Sequence, residues 1–131
     1  MASFRDLVVW QKAVQLSLAI YKMTSVFPAP EQFGLINQLR RAAVSVASNV
    51  AEGYGRSTKG EYVQFLGHAR GSIFELQTQL VISRELGFGT QQDCRQAESL
   101  ADEVGRMLNV MMSKLRTPDF RVRPKSLTPN P

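Results

Sequence analysis

The chain has 131 residues, enough for one domain with a real core and too few for two. It is 44% apolar and 21% charged, an ordinary soluble composition, and it has no apolar run near the roughly 18 residues that suggest a membrane span. Arg5 and Asp6 near the start argue against a secretory signal, and the single cysteine, Cys94, excludes an internal disulfide or an all-Cys zinc site, so the expected location is the cytoplasm.

Net charge is +5, of which +4 lies between Lys114 and Pro131, so the rest of the chain is nearly neutral. A short basic tail of this kind touches nucleic acid or an acidic partner, or simply keeps a protein soluble. Asp6 is the expected cap of a first helix running to about Val26. Its apolar residues form two stripes, Leu7, Trp10, Val14, Leu18, Tyr21 and Val9, Ala13, Leu16, Ile20, Met23. One stripe suffices for a core, so two predict burial on two sides. Phe27-Pro28-Ala29-Pro30 breaks this helix, because proline cannot continue it.

A second helix is expected from near Glu31 to Glu52. One face reads Leu35, Ile36, Leu39, Ala42, Ala43, Val46, Ala47, Val50; the other reads Gln38, Arg41, Ser45, Ser48, Asn49, Glu52. Ser and Asn form helix poorly because they compete for backbone hydrogen bonds, whereas a solvated face is easily built from Lys, Glu and Gln. The stripe therefore predicts a second packed face, close to another helix. Gly53-Tyr54-Gly55 supplies the expected stop, since glycine tolerates the left-handed conformation that helix ends use.

Thr58-Lys59-Gly60-Glu61 matches a capping box and starts a third helix running to about Leu86, with apolar positions at Tyr62, Phe65, Leu66, Ala69, Ile73, Leu76, Leu80 and Ile82. Gly67 and Gly71 each cost a helix interior roughly 1 kcal/mol relative to alanine, which predicts close approach of another backbone. Gly87-Phe88-Gly89 ends this helix. Thr90 caps a fourth from Gln91 to about Leu115, whose stripe is Cys94, Ala97, Leu100, Ala101, Val104, Leu108, Met111, Leu115. Beyond Thr117 lie four of the six prolines, which predicts an extended, mobile tail.

The expected architecture is all-α: an antiparallel up-down-up-down four-helix bundle over residues 1–116, followed by a Pro-rich basic tail over 117–131. The second apolar face of the first helix, and the small-residue faces of the next two, are surplus to one bundle. Homo-oligomerisation would bury them in a ring-like assembly.

The chemistry of enzymes is absent from this pattern. A carboxylate-bridged di-iron bundle needs two Glu-x-x-His motifs, and this chain has one histidine, His68, expected to be partly buried and hydrogen-bonded. Glu61, His68 and Glu75 share a face, but seven-residue steps put them about 10.5 Å apart along the axis, too far for one ion. Ser45 and Ser48 lie in mid-helix with no strand-turn-helix elbow, and Cys94 sits on a core stripe. Gly53-Tyr54-Gly55-Arg56 lacks the Walker pattern. No catalytic residue, metal or cofactor is expected.

Asn49 and Glu52, three apart, can meet on one face, and a carboxylate near a helix C-terminus needs compensation. Arg41, Arg56, Arg70 or a backbone amide would supply it, as a buried bridge fixing the turn into the third helix. The basic set Arg40, Arg41, Arg56, Lys59 and Arg70 surrounds the second helix and that turn, with Tyr54 among them. Arginine and lysine bind phosphate, and an aromatic ring stacks an unpaired base. Intramolecular pairs with Glu52, Glu61 and Glu75 would account for several of these charges.

Phe4-Arg-Asp-Leu7 with Val9-Trp10-Gln-Lys-Ala13, Gln38-Leu-Arg-Arg-Ala42, Ser45-x-x-Ser-Asn-x-Ala-Glu-Gly53, Tyr62-x-x-Phe-Leu66 and Ala69-x-Gly-Ser72 form a specific set. From Phe4 to about Leu115 the chain resembles the small bacterial four-helix-bundle proteins encoded in 23S rRNA intervening sequences. The resemblance implies a homopentamer around a central channel. It also implies similarity to the accessory protein of diversity-generating retroelements, a basic pentameric barrel that binds nucleic acid and a reverse transcriptase. Carried over, Arg40, Arg41 and Arg56 become candidates for a basic surface, and Ser45, Asn49 and Glu52 for structural roles at helix contacts. The expected function is non-enzymatic binding of RNA or DNA. The alternative is a protein-interaction scaffold whose partner, a reverse transcriptase or another polypeptide, docks on the ring or the tail.

Overall fold

In the computed structural model, residues 2–116 are described; the expected tail and Met1 lie outside them. Four α-helices make up the described part, with no strand among those residues: α1 Val8–Thr24, α2 Asn37–Tyr54, α3 Lys59–Glu85 and α4 Gln91–Arg116. Each packs on two others, α1 and α3 both lying against α2 and α4. Every helix contributes one side to a common core: Val9, Leu16, Ile20 and Met23 from α1, Leu39, Val46 and Val50 from α2, Leu66, Ile73, Leu76 and Leu80 from α3, and Ala97, Ala101, Val104 and Leu108 from α4. Burying a side chain of this size contributes about 1.5–3 kcal/mol, so this layer dominates the stability.

The start of α1 differs from expectation. Asp6 does not cap it. Ser3 and Asp6 instead close a capping box around a 3-10 turn, Phe4–Asp6, in which the Arg5 amide donates to Ser3 Oγ and the Ser3 amide to Asp6 Oδ2, each at 3.0 Å. Leu7 then extends the backbone (φ −72°, ψ 125°) before α1 begins without a side-chain cap. The helix ends at Thr24 rather than Val26. Of its two apolar stripes, Val9 to Met23 is buried. The stripe from Leu7 to Tyr21 faces outward, half-buried at Trp10 and Val14, with Leu18 66% exposed.

The entry to α2 also differs. The chain passes through a 3-10 turn, Ala29–Glu31, and a π-helical turn, Gln32–Ile36, before regular helix begins at Asn37 rather than near Glu31. Gly34 interrupts the turn with non-helical backbone (φ −110°, ψ −112°), and Glu31 Oε1 accepts from the Leu35 amide at 3.3 Å. At the other end, Gly53 and Tyr54 are still helical, and Gly55 keeps right-handed backbone (φ −83°). Gly53 is therefore no stop. It is buried against α3, where a Cβ would lie 2.9 Å from Phe65 Cβ.

The other two turns follow side-chain chemistry. Thr58 Oγ1 accepts from the Glu61 amide at 3.1 Å to start α3, and Thr90 Oγ1 accepts from the Asp93 amide at 3.1 Å to start α4. Gly87 (φ 76°) and Gly89 (φ 78°) take the left-handed backbone between them. Gly89 also admits the Phe27 ring, whose Cε1 would lie 3.0 Å from a Cβ there; Phe27 stacks at a tilt on Phe88, 5.5 Å between centroids.

Exposed polar pairs tie neighbouring helices: Gln77 to Asp102 at 2.9 Å, Arg84 to Glu98 at 2.8 Å, Lys12 to Glu103 at 3.5 Å. The expected close approach at Gly67 and Gly71 is absent among the described residues. Gly71 has nothing within 4 Å of a would-be Cβ, and Gly67 only the flexible Met112 Cε at 3.7 Å.

Candidate nucleic-acid interface

The outer side of α2 carries a polar stripe because Arg41, Ser45, Ser48 and Glu52 recur at helical spacing opposite the buried Leu39, Val46 and Val50, with Arg56 just past the end of the helix. Ser45 Oγ lies 2.9 Å from Ser72 Oγ of α3, and Asn49 Nδ2 donates to the Ser45 carbonyl (2.8 Å) and Ser45 Oγ (3.0 Å). These three half-buried side chains form a small polar seam between α2 and α3, while Ser48 is exposed. Glu52 takes no part in that seam. Arg56, two residues past the end of α2, donates from Nη2 to Glu52 Oε2 at 2.8 Å, and both side chains are exposed. The expected buried bridge is thus an exposed ion pair, because Glu52 projects away from α3.

The five basic residues do not form one patch. Arg40 turns toward α1: its guanidinium carbon lies 4.4 Å from the Tyr21 ring centroid, and Nε donates to Thr24 Oγ1 at 2.9 Å. Thr24 is itself buried and donates to the Ile20 carbonyl at 2.7 Å, which fixes the guanidinium. Arg70 turns toward α4 and donates to Asn109 Oδ1 at 3.2 Å. Arg56 also covers the Phe65 ring, 4.6 Å to its centroid. Arg41 and Lys59 are exposed and form no hydrogen bond or ion pair among the described residues. Tyr54 is half-buried, edge-on to Tyr62 at 6.2 Å. Burial, and then the neighbouring Tyr54, push the Tyr62 phenol above its ordinary value.

Arg40 and Arg41 open onto a surface recess of about 520 Å³, lined also by Tyr21, Gln32, Ile36, Asn37, Val44 and Ser45. No acidic residue lines it. Sequence reasoning singled out the two arginines and Ser45 but placed Tyr21 on an apolar stripe and left Gln32 and Asn37 unremarked. The signal for their convergence is Gly34, whose non-helical backbone kinks the chain between Gln32 and Asn37, both of which line the recess. Phe33 itself is 91% exposed.

Other features carry less chemistry. His68 is exposed and edge-on to Phe65 at 5.6 Å, not partly buried and hydrogen-bonded as expected, because it faces away from the core. Cys94 is buried, with Sγ 3.6 Å from the Phe88 carbonyl, and burial, reinforced by Glu98 and Asp93, raises its thiol despite the opposing charge of Arg84. Among the described residues no group of three or more His, Cys, Asp or Glu is placed to hold a metal ion, and no helix is long and apolar enough to cross a membrane.

Residues 5–110 match the family model described as 23S rRNA-intervening sequence protein. A crystal structure of a protein with unknown function from the S23 ribosomal protein family of Bacteroides thetaiotaomicron is similar in fold, with a TM-score of 0.71. The two chains are 18% identical, and the similarity covers 84% of this chain and 100% of the other. No curated protein matches.

Proposed function

The chain belongs to the 23S rRNA-intervening sequence protein family, and on that premise we propose that it is a non-enzymatic, self-assembling helical protein that binds RNA or DNA through a basic surface. The observation that carries this reading is a set of uncompensated cations beside α2 and at the start of α3. Arg41 and Lys59 have no partner among the described residues, the terminal nitrogens of Arg40 have none there either, and the recess that Arg40 and Arg41 line has no acid. Such uncompensated cations bind phosphate and release counterions.

The unit that presents them is an antiparallel up-down-up-down four-helix bundle. Ser45 pairs with Ser72 and Gln38 with Gln79, so partners descend α3 as they climb α2, which supports that arrangement. The outward stripe of α1, from Leu7 to Tyr21, supports burial against further copies in a ring, and the family resemblance favours five. A pentamer repeats each arginine five times around one surface, and multivalency then raises weak phosphate affinity. The proposal extends to a cytoplasmic location and to a folded domain ending near residue 116, with the tail as an additional basic segment.

A second reading, a scaffold for a reverse transcriptase or another polypeptide, draws support from one feature. Leu7, Val8, Met107, Val110 and Met111 form an apolar groove of about 440 Å³ between α1 and α4, with Val8 and Val110 more than half exposed.

Fluorescence anisotropy with structured RNA, single-stranded RNA and duplex DNA, titrated against salt, separates the two. The nucleic-acid reading requires micromolar or tighter binding that weakens steeply with salt. It also requires Arg41→Glu with Arg56→Glu to abolish binding while leaving the oligomeric mass unchanged. No binding at low salt would refute it in favour of the scaffold.

A further inference from the structure

We propose that the recess beside α2 is a site for one unpaired nucleotide of a single-stranded nucleic acid, with arginines on the phosphate and an aromatic face on the base. This rests on the nucleic-acid reading above and narrows it to a site and a strand type.

Three features converge there. The first is charge: Arg40 and Arg41 both line the recess, and no acidic residue does. Arg40 is pre-positioned, because Thr24 and the Tyr21 ring fix its Nε edge while its terminal nitrogens remain free. A fixed guanidinium fork matches two phosphate oxygens and loses little side-chain entropy on binding. Arg41, exposed and unpartnered among the described residues, supplies a second cation.

The second feature is an aromatic surface without a ring partner among the described residues. Phe33 is 91% exposed; it does not itself line the recess, but it directly follows Gln32, which does. A nucleobase stacked on such a ring is worth roughly 1–3 kcal/mol, or about five- to 150-fold in affinity.

The third is hydrogen-bonding capacity. Gln32 and Asn37 each bring an amide with both donors and acceptors, the chemistry that reads an exposed base edge. A base within a duplex hides both its faces and its pairing edge, so this combination selects a base that is unstacked and unpaired.

The test is anisotropy of the full chain with labelled oligouridine and with an RNA duplex of equal length, with unlabelled UMP as competitor, for the unaltered protein, Phe33→Ala and Arg41→Gln. Expected results are oligouridine binding at least about tenfold tighter than duplex, about tenfold weakening by Phe33→Ala with little change toward duplex, and a shallower salt slope for Arg41→Gln. UMP should compete only weakly. Equal affinity for both strand types, or an unaffected Phe33→Ala, would overturn this site and leave the basic surface standing. No binding by the unaltered protein would overturn both proposals. UMP competing as well as the oligomer would instead make a free nucleotide the ligand. A lower oligomeric mass for Phe33→Ala would assign that ring to contact between copies. Phe33 is nearly all in water, so its removal should leave the fold intact, and Arg41→Gln probes the site independently.

Discussion

Alanine at two glycines, one on each side of the α2–α3 pair, should act with opposite sign. Gly53 is buried, and a Cβ there would lie 2.9 Å from Phe65 Cβ, 3.0 Å from Tyr62 Cδ1 and 3.3 Å from the Tyr62 carbonyl. Phe65 Cβ and the Tyr62 carbonyl are fixed to the backbone of α3, so no rotamer change relieves the contact and the helix itself must retreat. Overpacking of this kind costs about 1–3 kcal/mol. Against it stands the roughly 1 kcal/mol by which alanine favours a helix interior over glycine. The sterics win, by about 1 kcal/mol at the middle of the range. For a domain of this size that is a fall in Tm of about 4 °C. Gly71 has the same propensity gain and no steric charge against it, since nothing lies within 4 Å. Gly71→Ala should therefore raise Tm by about 4 °C. Thermal unfolding followed by circular dichroism measures both. A rise for Gly53→Ala would refute the claim that α2 and α3 are held at their observed spacing. A fall for Gly71→Ala would bring back the close-approach argument, with the approaching backbone supplied by another copy of the chain.

Thr24→Val keeps the shape of a buried side chain but leaves Arg40 Nε without its acceptor, so it should cost about 1 kcal/mol in chemical denaturation; no loss would mean that Arg40 is not fixed by Thr24. Glu52→Gln should shift stability by less than about 1 kcal/mol, as for exposed ion pairs generally, and a larger loss would indicate a buried role. Cys94 should resist a thiol reagent until the protein unfolds; rapid modification of the native protein would contradict its burial. The raised Cys94 and Tyr62 values carry a pH signature. Below the ordinary thiol value of 9.0 the native and unfolded states hold the same proton; as pH climbs through it, only the unfolded chain releases readily. Stability should thus fall with rising pH from there, with Tyr62 adding to the fall above 10.0. Cys94→Ala should flatten the first part of that slope in urea titrations, and an unchanged slope would show that the thiol does not titrate differently on folding.

The fold was legible wherever one residue's environment follows from its period. Leu39, Ala42, Ala43, Val46 and Val50 repeat at helical spacing, and all five are buried. Thr58 and Thr90 were legible as caps because the signal is local: a hydroxyl and the amide three residues on. Gly53 and Gly71 were misread because a glycine's role depends on what faces it. Gly53 looked like punctuation and is a packing contact; Gly71 looked like a packing contact and is open among the described residues. Asp6 was misassigned because Ser3, three residues earlier, claims it for a turn of its own. The kink before α2 had no apolar signature, since it falls at Gly34, which has no side chain to enter a pattern of buried residues.

The arginines show why the site was harder to read than the fold. Arg40 and Arg41 are adjacent in sequence and alike in chemistry, but one residue of helix is about 100° of rotation. That rotation sends Arg40 onto Tyr21 and Thr24 of α1 and leaves Arg41 in solvent. Arg70 is sent the other way, onto Asn109 of α4. A basic residue's length lets it reach across a seam and bond there, so composition counts charges without saying which remain available to a ligand. Packing makes that distinction: Arg41 and Lys59 have no partner among the described residues, Arg40 is held at its Nε edge only, and Arg56 and Arg70 donate through their terminal nitrogens. Charge reversal should therefore be graded. Arg41→Glu removes a free cation and should weaken nucleic-acid binding at no cost in stability, whereas Arg70→Glu breaks a contact with α4 and should lower Tm with a smaller effect on binding. Equal effects of the two on binding would mean that the surface acts through its net charge alone, and the distinction drawn from their partners would fail.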